Sequence, residues 1–229
     1  MTCLLVVDAS STLCSVALCY QGQQWHISEE QPRRQAQRLL PMVDELLKKA
    51  QVSKQDLQGI AYGCGPGSFT GIRIAASVTQ GIALALDLPA LGLSSLQAVA
   101  QEVFAQSDAQ QVMAIMNAHM GEVFWGAFER DGDLCKAISK EQVGSPEKCL
   151  AEIAEFNGQV AGDGLALPGF IHLPQQWAQV QPQAQYILSL AKDAWHKQLF
   201  TDAEEQQPVY LRESVAWKKL SEQPSLLSR

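Results

Sequence analysis

No two of the six cysteines stand as C-x-x-C: Cys3, Cys14, Cys19, Cys64, Cys135 and Cys149 are scattered, mostly within apolar runs. That spacing excludes a thioredoxin-type redox motif and a zinc knuckle. Buried reduced thiols are the expected state, with a disulfide set left open only by the even count. The four histidines, His26, His119, His172 and His196, form neither H-x-x-x-H nor H-E-x-x-H, so no metal centre is expected. No G-x-S-x-G elbow is present, which removes the commonest serine-hydrolase signature. Long apolar runs are also missing: the most apolar stretch, 72–93, is interrupted by Arg73, Gln80, Asp87 and Pro89, and no membrane span is expected. The first residues enter a strand-like run without a charged leader, so a cytoplasmic protein is expected. Positive charge is scarce as well. Seventeen Lys and Arg against 24 Asp and Glu give a net charge of −7. A protein that holds nucleic acid unaided usually carries a basic stripe that neutralises phosphates. Here basic residues cluster only at Arg33, Arg34 and Arg38 and at Arg212, Lys218 and Lys219. Nucleic acid is therefore expected to meet this chain only inside a larger assembly.

What is present suits a globular α/β protein: 229 residues, 47% of them apolar. Apolar runs at 3–7, 14–20 and 24–29, the last two separated by Gln21-Gly22-Gln23, predict three antiparallel strands. Helical periodicity covers 34–50, with Leu39, Leu40, Val43, Leu46 and Leu47 on one side. Pro41 predicts a bend or a late start there, because an interior proline costs about 3 kcal/mol. Ser53 to Asp56 has the spacing of a capping box. A strand at 59–64, a helix at 69–86, a strand at 90–93 and a helix from Ser94-Ser95 to about Ala105 follow. The order then recurs in shortened form: strands at 112–117, 122–129 and 134–140, a helix from Ser145-Pro146, a strand at 159–161 and a helix at 182–199. Strand-strand-strand-helix-strand-helix twice over predicts a two-lobed fold of the actin and sugar-kinase type, a duplicated ribonuclease-H-like α/β topology. The expected lobes are 1–106 and 107–229, and a single Rossmann-like sheet is the alternative.

Gly65-Pro66-Gly67-Ser68-Phe69-Thr70-Gly71 is the most informative segment. Its glycines let the chain turn sharply from strand to helix, and Ser68 or Thr70 can cap that helix. The backbone N–H groups would also suit an anion, with Asp8 and Ser10 at the end of the first strand as neighbours. Against a phosphate loop, Gly71 is followed by Ile72 and Arg73 rather than Lys-Ser/Thr. Gly63, Gly65 and Gly67 make G-x-G-x-G rather than G-x-G-x-x-G. A structural turn and an anion contact both remain open. In the following helix Gly71, Ala75, Thr79 and Ala83 recur at i, i+4, i+8 and i+12, and Ile74, Val78, Ile82 and Leu86 make a parallel bulky stripe. A helix apolar nearly all round is buried on more than one face. The expected partner-binding surface is Phe69, Gly71, Ile72, Ala75, Ala76, Thr79 and Ala83 with Leu39, Val43 and Leu46 of the preceding helix. An ordinary internal helix is the plainer reading.

Several segments together resemble one family: Asp8-Ala9-Ser10-Ser11, Leu39-Leu40-Pro41, Gly65 to Arg73, Gly121-Glu122-Val123-Phe124 and Pro208-Val209-Tyr210-Leu211-Arg212. In this order they are similar to the TsaB (YeaZ) family of bacterial tRNA threonylcarbamoyladenosine biosynthesis proteins. The run G-P-G-S-F-T-G-x-R is the specific element. The resemblance implies an actin-like fold and a non-catalytic, cofactor-free subunit that pairs through its two N-terminal helices with a TsaD-type catalytic subunit or with a second copy. It also implies work alongside a TsaE-type ATPase, with tRNA reached only through the complex. Where the family carries D-A-R-x-G-E-V, this chain has Asn117-Ala118-His119-Met120-Gly121-Glu122-Val123. The rival expectation is an actin-fold ATPase or small-molecule kinase using Asp8 and the glycine loop.

Overall fold

A computed structural model describes residues 2–30 and 34–212. The basic residues Arg33, Lys218 and Lys219 lie outside these. Two sheets organise the chain. The first contains β1 (Leu4–Asp8), β2 (Leu13–Tyr20), β3 (Gln23–Glu30), β4 (Gly59–Gly65) and β5 (Ala90–Ser94) in the order β3-β2-β1-β4-β5. The second contains β6 (Gln111–His119), β7 (Glu122–Asp131), β8 (Leu134–Ala137), β9 (Gln142–Gly144) and β10 (Gln159–Ala161), ordered β10-β6-β7-β8 with β9 also on β7. In each sheet the first two strands form an antiparallel hairpin, and a later strand joins the first in parallel: β1 with β4, β6 with β10. The duplicated order expected from the sequence is therefore present. The second copy has β9 in place of the far end of the strand expected at 134–140.

The helices are α1 (Gln35–Ala50), α2 (Phe69–Leu86), α3 (Ser95–Gln106), α4 (Pro146–Ala154) and α5 (Ala184–His196). Ser53 makes the expected capping box with Asp56. Ser68 Oγ accepts from Gly71 N and Ser94 Oγ from Gln97 N, so each serine satisfies one orphan N–H of α2 or α3. Helix α1 runs through Pro41 without a break. Pro41 faces solvent, and so does Gln37, whose carbonyl loses its donor, so water can replace the missing bond.

The boundary at 106/107 does not separate two independently packed bodies. Leu96, Val99, Val103 and Phe104 of α3 pack into the core of the second sheet with Val112, Ala114 and Phe128. Conversely Ala184, Ile187, Leu188 and Ala191 of α5 pack on the first sheet with Leu4, Val6, Ala17 and Ala61. The two helices cross over, so each half supplies a wall of the other's core. All six cysteines are buried and free.

No membrane span is expected from the sequence, and among the described residues helix α2, with 18 residues, is long and apolar enough for one by length and composition only. In the fold it is the crossover between the parallel strands β4 and β5, and its inward face covers the first sheet.

Candidate functional site

The glycine loop is closed by the protein's own backbone. Asp8 ends β1 and is fully buried. Its Oδ2 accepts from Ser10 N at 3.3 Å, while Oδ1 and the Ser10 hydroxyl have no partner among the described residues. Burial pushes the Asp8 carboxyl up to about 7, against the opposing pull of neighbouring Ser10. A Cβ on Gly63 would overlap Asp8 Oδ1, one on Gly67 would overlap Ser10 O, and one on Gly71 would overlap Ala9 O. Ser68 N donates to Ser10 O at 2.7 Å. On the far side, a Cβ on Gly65 would lie 2.7 Å from Val209 O, and Val209 N donates to Cys64 O at 2.8 Å. The glycines therefore permit the close approach of chain to chain. Residues 8–10 and 209 occupy the space beside these glycines, and Ser68 N is spent on Ser10 O. Thr70, expected beside the loop, is exposed and caps nothing. Magnesium asks for about six oxygens in near-octahedral array. One buried carboxyl does not fit it, and among the described residues no group of three or more His, Cys, Asp or Glu could hold a metal.

The other feature is open. Helices α1 and α2 lie side by side, and between them runs an apolar groove of about 600 Å³. Leu40, Val43, Leu47, Val78, Ile82 and Leu86 form its apolar lining, and Ser77, Gly81 and Ala85 form its floor on α2. A second hollow of about 420 Å³ continues it past Ser77 and Val78 to Ala36, Phe69, Thr70 and Arg73. Leu40 is 54% exposed and Phe69 55%.

This geometry corrects the expected contact surface. Gly71, Ile72, Ala75, Ala76, Thr79 and Ala83 are buried within the chain, as are Leu39 and Leu46. The small stripe lets α2 sit close on its own sheet, where Ala9, Val7 and Tyr62 form the opposite wall. It has nothing left to offer a partner. Of the expected residues, Phe69 is exposed at the groove, and Val43, buried at 4% exposure, reaches its lining. The outward small stripe is a different one, Ser77, Gly81 and Ala85, at the same i, i+4, i+8 spacing. A Cβ on Gly81 would meet nothing within 4 Å. Sequence reasoning missed this stripe because two rows of small residues share one helix. The row that touches the sheet is chosen by the loop that feeds it.

Within the basic clusters, Arg38 and Arg212 are engaged. Arg38 bridges Glu29 at 2.6 Å and Glu45 at 2.5 Å, and Arg212 pairs with Glu122. The Asn117 segment is a turn: Asn117 N donates to Asp163 Oδ1 at 2.9 Å, Asn117 Oδ1 accepts from His119 N at 2.8 Å, and His119 and Met120 have positive φ.

The family model described as tRNA N6-adenosine threonylcarbamoyltransferase (TsaD) matches residues 27–219. The tRNA threonylcarbamoyladenosine biosynthesis protein TsaB of Haemophilus influenzae is 37% identical, covering 95% of this chain and 96% of the relative. That of Escherichia coli is 35% identical, covering 95% and 97%. The chain belongs to the TsaB family. The solved structure of YeaZ from Pseudomonas aeruginosa superposes with a TM-score of 0.84 at 38% identity, covering 92% of this chain and all of that one. As a TsaB-family member the chain is a tRNA threonylcarbamoyladenosine biosynthesis protein with a mixed α/β fold of two sheets, related to the transferase itself.

Proposed function

We propose that this chain is a non-catalytic subunit of the threonylcarbamoyl-transfer machinery. It pairs through the α1/α2 groove with a TsaD-type catalytic subunit, and through the same face with a second copy when that subunit is absent. A TsaE-type ATPase completes the assembly, and tRNA meets the chain only there. In this reading the halves 1–106 and 107–229 act together as one rigid scaffold in the cytoplasm, and no cofactor is held. The observation that carries it is the contrast between a glycine loop filled by its own backbone and a long apolar groove left open on the surface. Contiguous exposed apolar surface of this kind is the usual mark of an interaction site. Gly81 strengthens the point, because an exposed mid-helix glycine costs about 1 kcal/mol relative to alanine unless another backbone must approach.

The test is the affinity of the purified chain for the transferase-family subunit of the same organism. Gly81→Arg should abolish pairing and tRNA modification while the chain stays folded. Undiminished pairing and modification in that variant would sink the groove assignment. The rival reading, an ATPase or kinase, requires magnesium-ATP to bind the isolated chain and turnover to be lost in Asp8→Ala. Calorimetry with magnesium-ATP should register no binding.

A further inference from the structure

At the start of α2 a guanidinium lies against two neighbouring rings. Arg73 Cζ lies 3.7 Å from the Phe69 ring centroid and 5.4 Å from that of Tyr210, and the two rings are 5.7 Å apart. Arg73 Nε donates to the Tyr210 hydroxyl at 2.7 Å. Both rings stand on the surface, Phe69 55% and Tyr210 45% exposed. Tyr210 is delivered by the strap 206–212, which is tied to the first sheet by Val209 N to Cys64 O at 2.8 Å. The strap is tied to the second sheet's hairpin by Arg212, whose Nη2 donates to Ala118 O at 3.3 Å and pairs with Glu122. None of the ion pairs among the described residues involves Arg73. Stacking and the Nε bond restrain the guanidinium of Arg73, which lines the hollow that continues the groove.

We propose that Phe69, Arg73 and Tyr210 form an anchor for one aspartate or glutamate side chain of the partner polypeptide. That side chain is carried at the end of the apolar helix that fills the groove. The inference rests on the groove reading above and adds the chemistry of the occupant. An oriented guanidinium takes a carboxylate through two parallel hydrogen bonds, and arginine and tyrosine are the residues that dominate such contacts. A phosphate backbone would ask for a row of cations. Among the described residues Arg73 is the one cation lining this hollow, and the groove it continues adds Lys54 alone. The chain's own acids along the groove are committed: Asp44 pairs with Lys48 at 2.5 Å, and the neighbouring Glu45 with Arg38. From Arg73 to Leu86, α2 rises about 20 Å, so a partner helix of about 13 residues spans the groove with its acid at the Arg73 end.

The experiment measures binding of wild type, Arg73→Gln, Arg73→Lys and Tyr210→Phe to the purified transferase-family subunit, at about 50 and about 500 mM NaCl. Thermal melts accompany each variant, and all three should melt close to wild type because the cluster is exposed. Arg73→Gln should weaken binding about tenfold at low salt and flatten the salt dependence, with Arg73→Lys and Tyr210→Phe in between. If Gly81→Arg abolishes pairing but Arg73→Gln changes neither affinity nor its salt dependence, the anchor is wrong and the groove right. If Gly81→Arg also leaves pairing intact, the groove reading itself has failed. Two other outcomes overturn the assignment: Arg73→Gln weakening only tRNA cross-linking, or weakening only self-association in sedimentation. The first would make the cluster a phosphate contact, the second a contact between copies.

Discussion

The two faces of α2 carry the same signal and meet different fates. Gly71, Ala75, Thr79 and Ala83 on one side, and Ser77, Gly81 and Ala85 on the other, are both rows of small residues one helical turn apart. The inner row is consumed by the fold. Its first member is pressed against Ala9 O, and the rest lie on the sheet with almost no exposure. The outer row borders a groove, and at Gly81 there is open space where a side chain would stand. Small residues at helical spacing thus announce close packing without saying against what. The fold decides which row is already occupied and which is still open to another polypeptide.

Arginine placed on each row breaks the comparison most severely. Ala75→Arg buries a charge where no space or counter-charge exists, and should cost at least about 4 kcal/mol and leave little soluble folded protein. Denaturant titration of that variant checks it, and a native-like midpoint would contradict the inner-row account. Gly81→Arg should leave the midpoint unchanged or raised, since arginine is the better helix former, while pairing is lost.

The next effect sharpens the other half of the contrast, the closed glycine loop. Asp8 is raised above its unfolded value, so the native state holds a proton that the unfolded chain has released. Stability contributed by the neutral acid is complete below about pH 4 and declines as pH rises towards about 7. Asp8→Asn should abolish that decline and gain at most about 4 kcal/mol relative to wild type at pH 8. Parallel pH–stability curves for the two proteins would instead place a charged partner at Asp8. The smallest effect is the most diagnostic for the outer row. Gly81→Ala should raise stability by about 0.5–1 kcal/mol and yet weaken pairing, because the added methyl separates the backbones. Equal or tighter pairing in that variant would remove the reason for a glycine there.

Much of the architecture was legible in the chain itself. The apolar runs at β1, β2 and β3, the serine caps at Ser53 and Ser94 and the duplicated order all rest on local chemistry. The exchange of α3 and α5 between sheets was not legible, since both have apolar faces that either sheet could cover. The site was half legible. Val43 and Phe69 line the groove, whereas Ala75 and Ala83, expected on the same surface, are buried; spacing carries no information about which side a sheet occupies. Tyr210 was visible only as part of a motif, Pro208 to Arg212. Its meeting with Phe69 and Arg73 joins residues that are distant in sequence and close only in the fold.

The most direct test is amide hydrogen exchange of the chain with and without the transferase-family subunit. The account predicts new protection across 36–47 and 69–86, with 63–68 unchanged by the partner. Protection confined to 63–68, with the α1/α2 face exchanging as before, would contradict it.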